Sequence, residues 1–149
     1  MSKLKSPNAP VILTALGAIP FLVPAGLMVI YRADTILLNT IGLWLLVYAA
    51  VILSFLGGVR WGVEIVKREK PRFGELALSV IGALIGWIAV MAFFRFTAPW
   101  IMGALSCALV LHYLVDRASL DMPVWYRRLR LWPTLAAALC LLLAFALLS

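Results

Sequence analysis

Five long stretches of almost unbroken apolar residues leave this 149-residue chain few ways to fold. A bilayer's hydrocarbon core, about 30 Å thick, is crossed by roughly 20 apolar residues in helical form. Stretches of that order run from Val11 to Tyr31, Ile36 to Val59, Phe73 to Phe94, Pro99 to Val115 and Trp132 to Leu148. The last two are short, so they stand upright or extend into the interface. Their hydrophobicity does not alternate as barrel strands require, so the spans are helices. With 65% hydrophobic and 13% charged residues, the chain has more apolar surface than one water-soluble core could cover. A soluble enzyme, a disordered chain and a disulfide scaffold are thereby excluded. The reading is a single all-α integral membrane domain, a small bundle of five transmembrane helices.

The connections give the orientation. One side receives Lys3, Lys5, Arg60, Lys67, Arg68, Lys70, Arg72, Arg117, Arg127, Arg128 and Arg130, and the other only Arg32 and Arg95. Positive residues concentrate in cytoplasmic loops, so the expected topology is N-in, C-out, with cytoplasmic loops at 60–72 and 116–131. The net charge of +7 flanks apolar spans, which makes anionic lipid headgroups the expected partner rather than nucleic acid. The first span also has a basic start and a Val23-Pro24-Ala25 segment loosely like a cleavage site. It is longer than a signal-peptide core, and the expectation is a retained helix, irregular around Pro20 and Pro24. No Arg- and Ser-rich transit segment precedes it, which points to a bacterial inner membrane.

Along the second span Ala50, Ser54, Gly58 and Gly62 recur every four residues, a spacing that lets another helix approach closely. Gly82 and Gly86 make a similar pair in the third span, with Ser79 and Ala83 beside it, and read as packing within the bundle. Arg60, Glu64 and Arg68 follow at i, i+4 and i+8, a charged ladder on a helix that continues past the membrane and stops before Pro71. His112 is the single histidine, with Asp116 one turn on. The pair either handles protons or a ligand such as a quinone, or is a neutral histidine bonded to a neighbouring helix. Asp121 to Pro133 reads as an interfacial segment with Trp125, Leu129 and Trp132 on one side. Cys107 and Cys140 read as small core residues at similar depth.

The chain has no HExxH, GxSxG, Walker A or GxGxxG motif and no carboxylate at mid-membrane. Chemistry or binding is therefore expected at the rim, where Arg60, Glu64, His112, Asp116, Tyr126 and Arg130 can converge. No metal site is expected, and a quinone or lipid is the conceivable ligand.

Gly17-Ala18-Ile19-Pro20-Phe21, the SFLGGVRWG stretch at 54–62 and the Pro123-x-Trp-Tyr-x-x-Leu-Arg130 run together resemble a bacterial inner-membrane family. That family has a domain of unknown function and includes mitochondrial transmembrane protein 69. The three motifs span nearly the whole chain in order. The resemblance implies a small polytopic protein of energy-transducing membranes and a retained first span. It marks Arg60, Trp61, Trp125, Tyr126 and Arg130 as motif positions, and His112 is not among them. The expected role is a non-enzymatic accessory or assembly subunit of a respiratory or photosynthetic complex. The alternative is a lipid or quinone binder, or a small transporter, with its site at the cytoplasmic rim around Arg60 and Glu64.

Overall fold

A computed structural model describes residues 8–96 and 98–149. Lys3 and Lys5 lie outside the described residues. The elements are α1 (Asn8–Ile30), α2 (Thr35–Lys67), α3 (Phe73–Phe93), α4 (Ala98–Ala118), the short α5 (Val124–Leu129) and α6 (Leu131–Leu148), with no strand among the described residues. Five segments are long and apolar enough to cross a membrane, the last being Val124–Leu148.

Local chemistry explains the boundaries. Asp34 caps α2 by accepting from the backbone N–H groups of Ile36 and Leu37, each at 3.0 Å. Pro99 and Pro133 fall in the first turns of α4 and α6, where a missing N–H costs nothing. Pro20 and Pro24 lie inside α1, which stays helical throughout. Each removes one intrahelical bond. Beside that weakened stretch, the Tyr48 hydroxyl donates to the Gly17 carbonyl at 2.8 Å. Its ring meets Phe21 edge-on, with centroids 4.9 Å apart.

Helix α2 touches the other four long helices and forms the centre of the bundle. At 1.5 Å per residue its 33 residues reach about 50 Å, well beyond a hydrocarbon core of about 30 Å. The overhang carries Arg60 through Lys67 out of the apolar zone. Met28, Leu45, Leu46, Leu53, Met102, Leu105, Leu109 and Leu141 are the largest fully buried apolar side chains. Lipid tails are as apolar as these side chains, so cohesion rests on close packing rather than on exclusion of water.

That packing is tightest between α2 and α3, which share the largest interface. A Cβ on Gly57 would fall inside the contact radius of the Ser79 carbonyl oxygen. One on Gly82 would lie 2.9 Å from the Leu53 carbonyl oxygen, and one on Gly86 3.0 Å from the Ala50 Cα. The face that α2 presents to α3 is therefore Ala50, Leu53 and Gly57, and the Ser54–Gly58–Gly62 row is displaced from it. Ser54 and Gly58 are exposed, and a Cβ on Gly58 or Gly62 would meet nothing within 4 Å. Cys140 is buried, but Cys107 points outward, so the two do not form a shared core contact. Between α4 and α6 the Ser106 hydroxyl donates to the Ala138 carbonyl at 3.2 Å.

Gly57→Ala should lower stability in detergent by about 1–3 kcal/mol, the usual cost of forcing a methyl group into a filled contact. Gly58→Ala should leave it within about 0.5 kcal/mol. Parallel thermal melts of the two variants check this, and equal losses would contradict the assigned face.

Candidate functional site

The overhang of α2 meets the start of α3, the end of α4 and the α5–α6 junction, and four of the six acidic residues gather there: Glu64, Glu75, Asp116 and Asp121. Charge leaves water only when paired and hydrogen-bonded, and here the pairing forms two linked groups.

The inner group centres on Asp116, which is fully buried. Arg60 Nη1 donates to its Oδ1 at 2.9 Å, and Arg130 Nη1 donates to its Oδ2. The other end of the Arg60 guanidinium reaches Glu75 Oε2 at 2.5 Å. Three segments distant in sequence thus meet at one carboxylate, and α3 joins through Glu75. His112 Nδ1 stands 3.5 Å from both Asp116 Oδ2 and Arg130 Nη1, at the edge of bonding range, and its Nε2 is buried without a partner. The arginines, rather than the histidine, hold the Asp116 carboxylate.

The outer group centres on Glu64, which is 3% exposed. Its carboxylate accepts from Arg68 Nη1 at 3.0 Å and from Arg72 through the backbone N–H, Nε and Nη2 at 2.8, 3.1 and 3.0 Å. Asp121 closes the group from the α4–α5 loop, with Oδ2 2.8 Å from Arg68 Nη2 and 3.1 Å from Arg72 Nη2. The Arg68 hydrogen bond, opposed in part by desolvation, holds the Asp121 carboxyl below its ordinary range. Arg72 to Glu75 at 3.5 Å links the two groups.

The expected charged ladder therefore divides. Glu64 pairs with Arg68 one turn on, while Arg60 turns inward to Asp116 and Glu75. Glu75, Arg72 and Asp121 were not among the residues expected to converge at the rim. Glu75 meets Arg60 15 residues away, Arg72 meets Glu64 across the α2–α3 connection, and Asp121 meets Arg68 53 residues away, so helical i,i+4 spacing does not reveal these pairs.

A groove of about 400 Å³ lies next to the inner group, bounded by α1, α2, α5 and α6. From Gly17 toward Pro10 it separates α1 from α2, which faces it with Ile52, Phe55 and Val59. Leu13 and Phe55, 67% and 64% exposed, form its lips on the bundle surface. Its inner end is walled by Trp125, Tyr126 and Arg130, the motif residues of α5 and its junction. The Tyr126 hydroxyl is buried without a partner, and the Arg130 guanidinium lies 5.9 Å from the Tyr126 ring centre. Of the residues expected at the rim, Arg60, Glu64, Asp116 and Arg130 lie within the ion network, with His112 beside it. Only Trp125, Tyr126 and Arg130 line the groove. Trp61 is 42% exposed on the outer face of α2.

Residues 6–146 match the family model described as protein of unknown function (DUF3429). Transmembrane protein 69 of Mus musculus is 30% identical over 139 residues, covering 90% of this chain and 54% of that protein. Transmembrane protein 69 of Xenopus tropicalis is 37% identical over 97 residues, covering 63% of this chain and 38% of that one. The chain thus spans about half the length of the mouse relative and less of the frog one. No solved structure matches. The chain belongs to the DUF3429 family, a membrane family that is related to transmembrane protein 69.

Removing the Asp116 carboxylate strands the buried Arg130 guanidinium and leaves Arg60 with Glu75 alone, and breaking a buried pair in this way typically costs about 3–5 kcal/mol. Asp116→Asn should therefore destabilise the protein in detergent by several kcal/mol. Glu69→Gln, at an exposed carboxylate outside the network, should melt like the wild type. Similar melting of all three proteins would show that the network does not hold this end together.

Proposed function

We propose that this DUF3429 member binds a membrane amphiphile in the groove between α1 and α2, with the polar end of the ligand at Tyr126 and Arg130. One observation carries the reading: an apolar groove of ligand size is walled at one end by Tyr126, whose hydroxyl is buried without a partner. An orphaned buried polar group costs about 1–3 kcal/mol, which a ligand's acceptor would relieve. Pockets for small molecules share this build, mostly apolar with a few convergent polar groups. The Leu13 and Phe55 lips supply an entry route from the lipid side. The same reading puts the charged end in the cytoplasm of a bacterial cell, with the chain in the inner membrane. It rests on the division of basic residues, eleven on one side against Arg32 and Arg95 on the other.

A second reading, an accessory subunit of a larger respiratory or photosynthetic complex, is favoured by the outer face of α2. Ser54 and Gly58 are exposed there, and the space over Gly58 and Gly62 is open, leaving a strip that a partner's helix could approach. Purification in mild detergent at native expression should then recover a larger assembly at fixed stoichiometry, with Gly58→Leu releasing the chain. Recovery solely as a monomer removes this reading.

For the groove, native mass spectrometry of the purified chain should find a retained amphiphile. Gly17→Leu, which adds bulk at a residue lining the groove, should lose it, whereas Gly26→Leu, in open space on the same helix, should keep it. Equal retention in both variants, or no adduct on the wild type, would count against the groove as a binding site.

A further inference from the structure

The groove's electrostatics also select among amphiphiles, and this step rests on the groove being a binding site. Arg130 is the one charged residue among the described residues that line it. That cation is already engaged, its Nη1 donating to the buried Asp116 carboxylate. A phosphodiester headgroup would bring a further anion next to the buried Asp116 carboxylate, and the described residues that line the groove supply no second cation to receive it. Desolvating an uncompensated charge is strongly unfavourable. A neutral carbonyl brings no such charge. It can accept from the Tyr126 hydroxyl, and from the Arg130 guanidinium, whose hydrogen bonds to described residues all leave through Nη1.

The walls select further. Trp125 and Tyr126 stand edge to face, with centroids 5.9 Å apart and planes at 87°, and Phe21 and Phe55 line the groove beyond them. Such rings offer faces and edges to a flat π-system in the offset or T-shaped arrangements that aromatic pairs prefer. The tetrahedral, strongly hydrated glycerol backbone of a phospholipid gains nothing comparable. Away from this end the lining is aliphatic and opens at Leu13 and Phe55, where a long tail can pass into the lipid.

The geometry points to a neutral quinone-class lipid as the occupant: a planar ring with a carbonyl at Tyr126 and Arg130, and a tail leaving between α1 and α2. Binding alone is proposed, with no redox step.

The test uses the full chain in phosphatidylcholine nanodiscs, with and without phosphatidylglycerol. A decyl-tailed benzoquinone is titrated, and the signal is the quenching contributed by Trp125, taken as the difference from Trp125→Phe. Saturable quenching is expected, unchanged by phosphatidylglycerol. Tyr126→Phe should raise half-saturation roughly two- to tenfold, the worth of one neutral hydrogen bond. Tyr126→Phe changes no volume of consequence, and a melt no lower than that of the wild type shows that it folds. Gly17→Leu should abolish the quenching. If phosphatidylglycerol displaces the quinone, or Tyr126→Phe binds it as the wild type does, the quinone assignment is overturned. In that event the groove stands as a site as long as Gly17→Leu still blocks occupancy. If the wild type and Gly17→Leu behave alike, both the assignment and the groove reading fall.

Discussion

The carboxylate of Asp116, gripped from opposite sides by Arg60 and Arg130, is the interaction on which the charged end of this protein depends. Each partner comes from a different part of the chain: the overhang of α2, the end of α4 and the junction between α5 and α6. Glu75 brings α3 to the same point through Arg60. None of these groups could be buried alone, since a lone charge away from water is far costlier than any packing gain. The network therefore acts as a constraint on geometry more than as a source of net stability. It fixes where four elements meet, and with them the place of Trp125 and Tyr126.

A different principle governs the apolar zone. Between lipid-soluble helices no expulsion of water drives association, and contact must come from backbones lying close together. Gly57, Gly82 and Gly86 supply that closeness for α2 and α3. The two regimes are complementary along α2: small residues hold its membrane portion, and ion pairs hold its projecting end. The length of α2 makes both possible, because a helix that merely spanned the core would end before Arg60.

The spans could be read from the sequence because apolar run length is a direct physical requirement of the bilayer. The continuation of α2 beyond the membrane was legible in the Arg60–Glu64–Arg68 spacing, and the Glu64–Arg68 half of that ladder is present. The packing face was not. Residues four apart drift about 40° around a helix at each step, so a row from Ala50 to Gly62 slides off the face on which it starts. Alternating steps of three and four stay on it, and Ala50, Leu53, Gly57, Arg60 and Glu64 are the buried residues that result. The partners of Arg60 and Glu64 stayed hidden because opposite charges abound at any membrane edge, and nothing local distinguishes the pair that forms. The groove could not be read at all, since a void between α1 and α2 is a property of assembled helices.

Helix α1 takes no part in the ion pairs among the described residues. Among the described residues, its side-chain polar tie to the other helices is the hydroxyl that Tyr48 extends to Gly17. The wall nearest the surrounding lipid is therefore the one fastened most lightly. Sideways displacement of that wall about its proline-bearing stretch would widen the mouth without disturbing any buried charge. The charged end can then remain rigid while the mouth gives way.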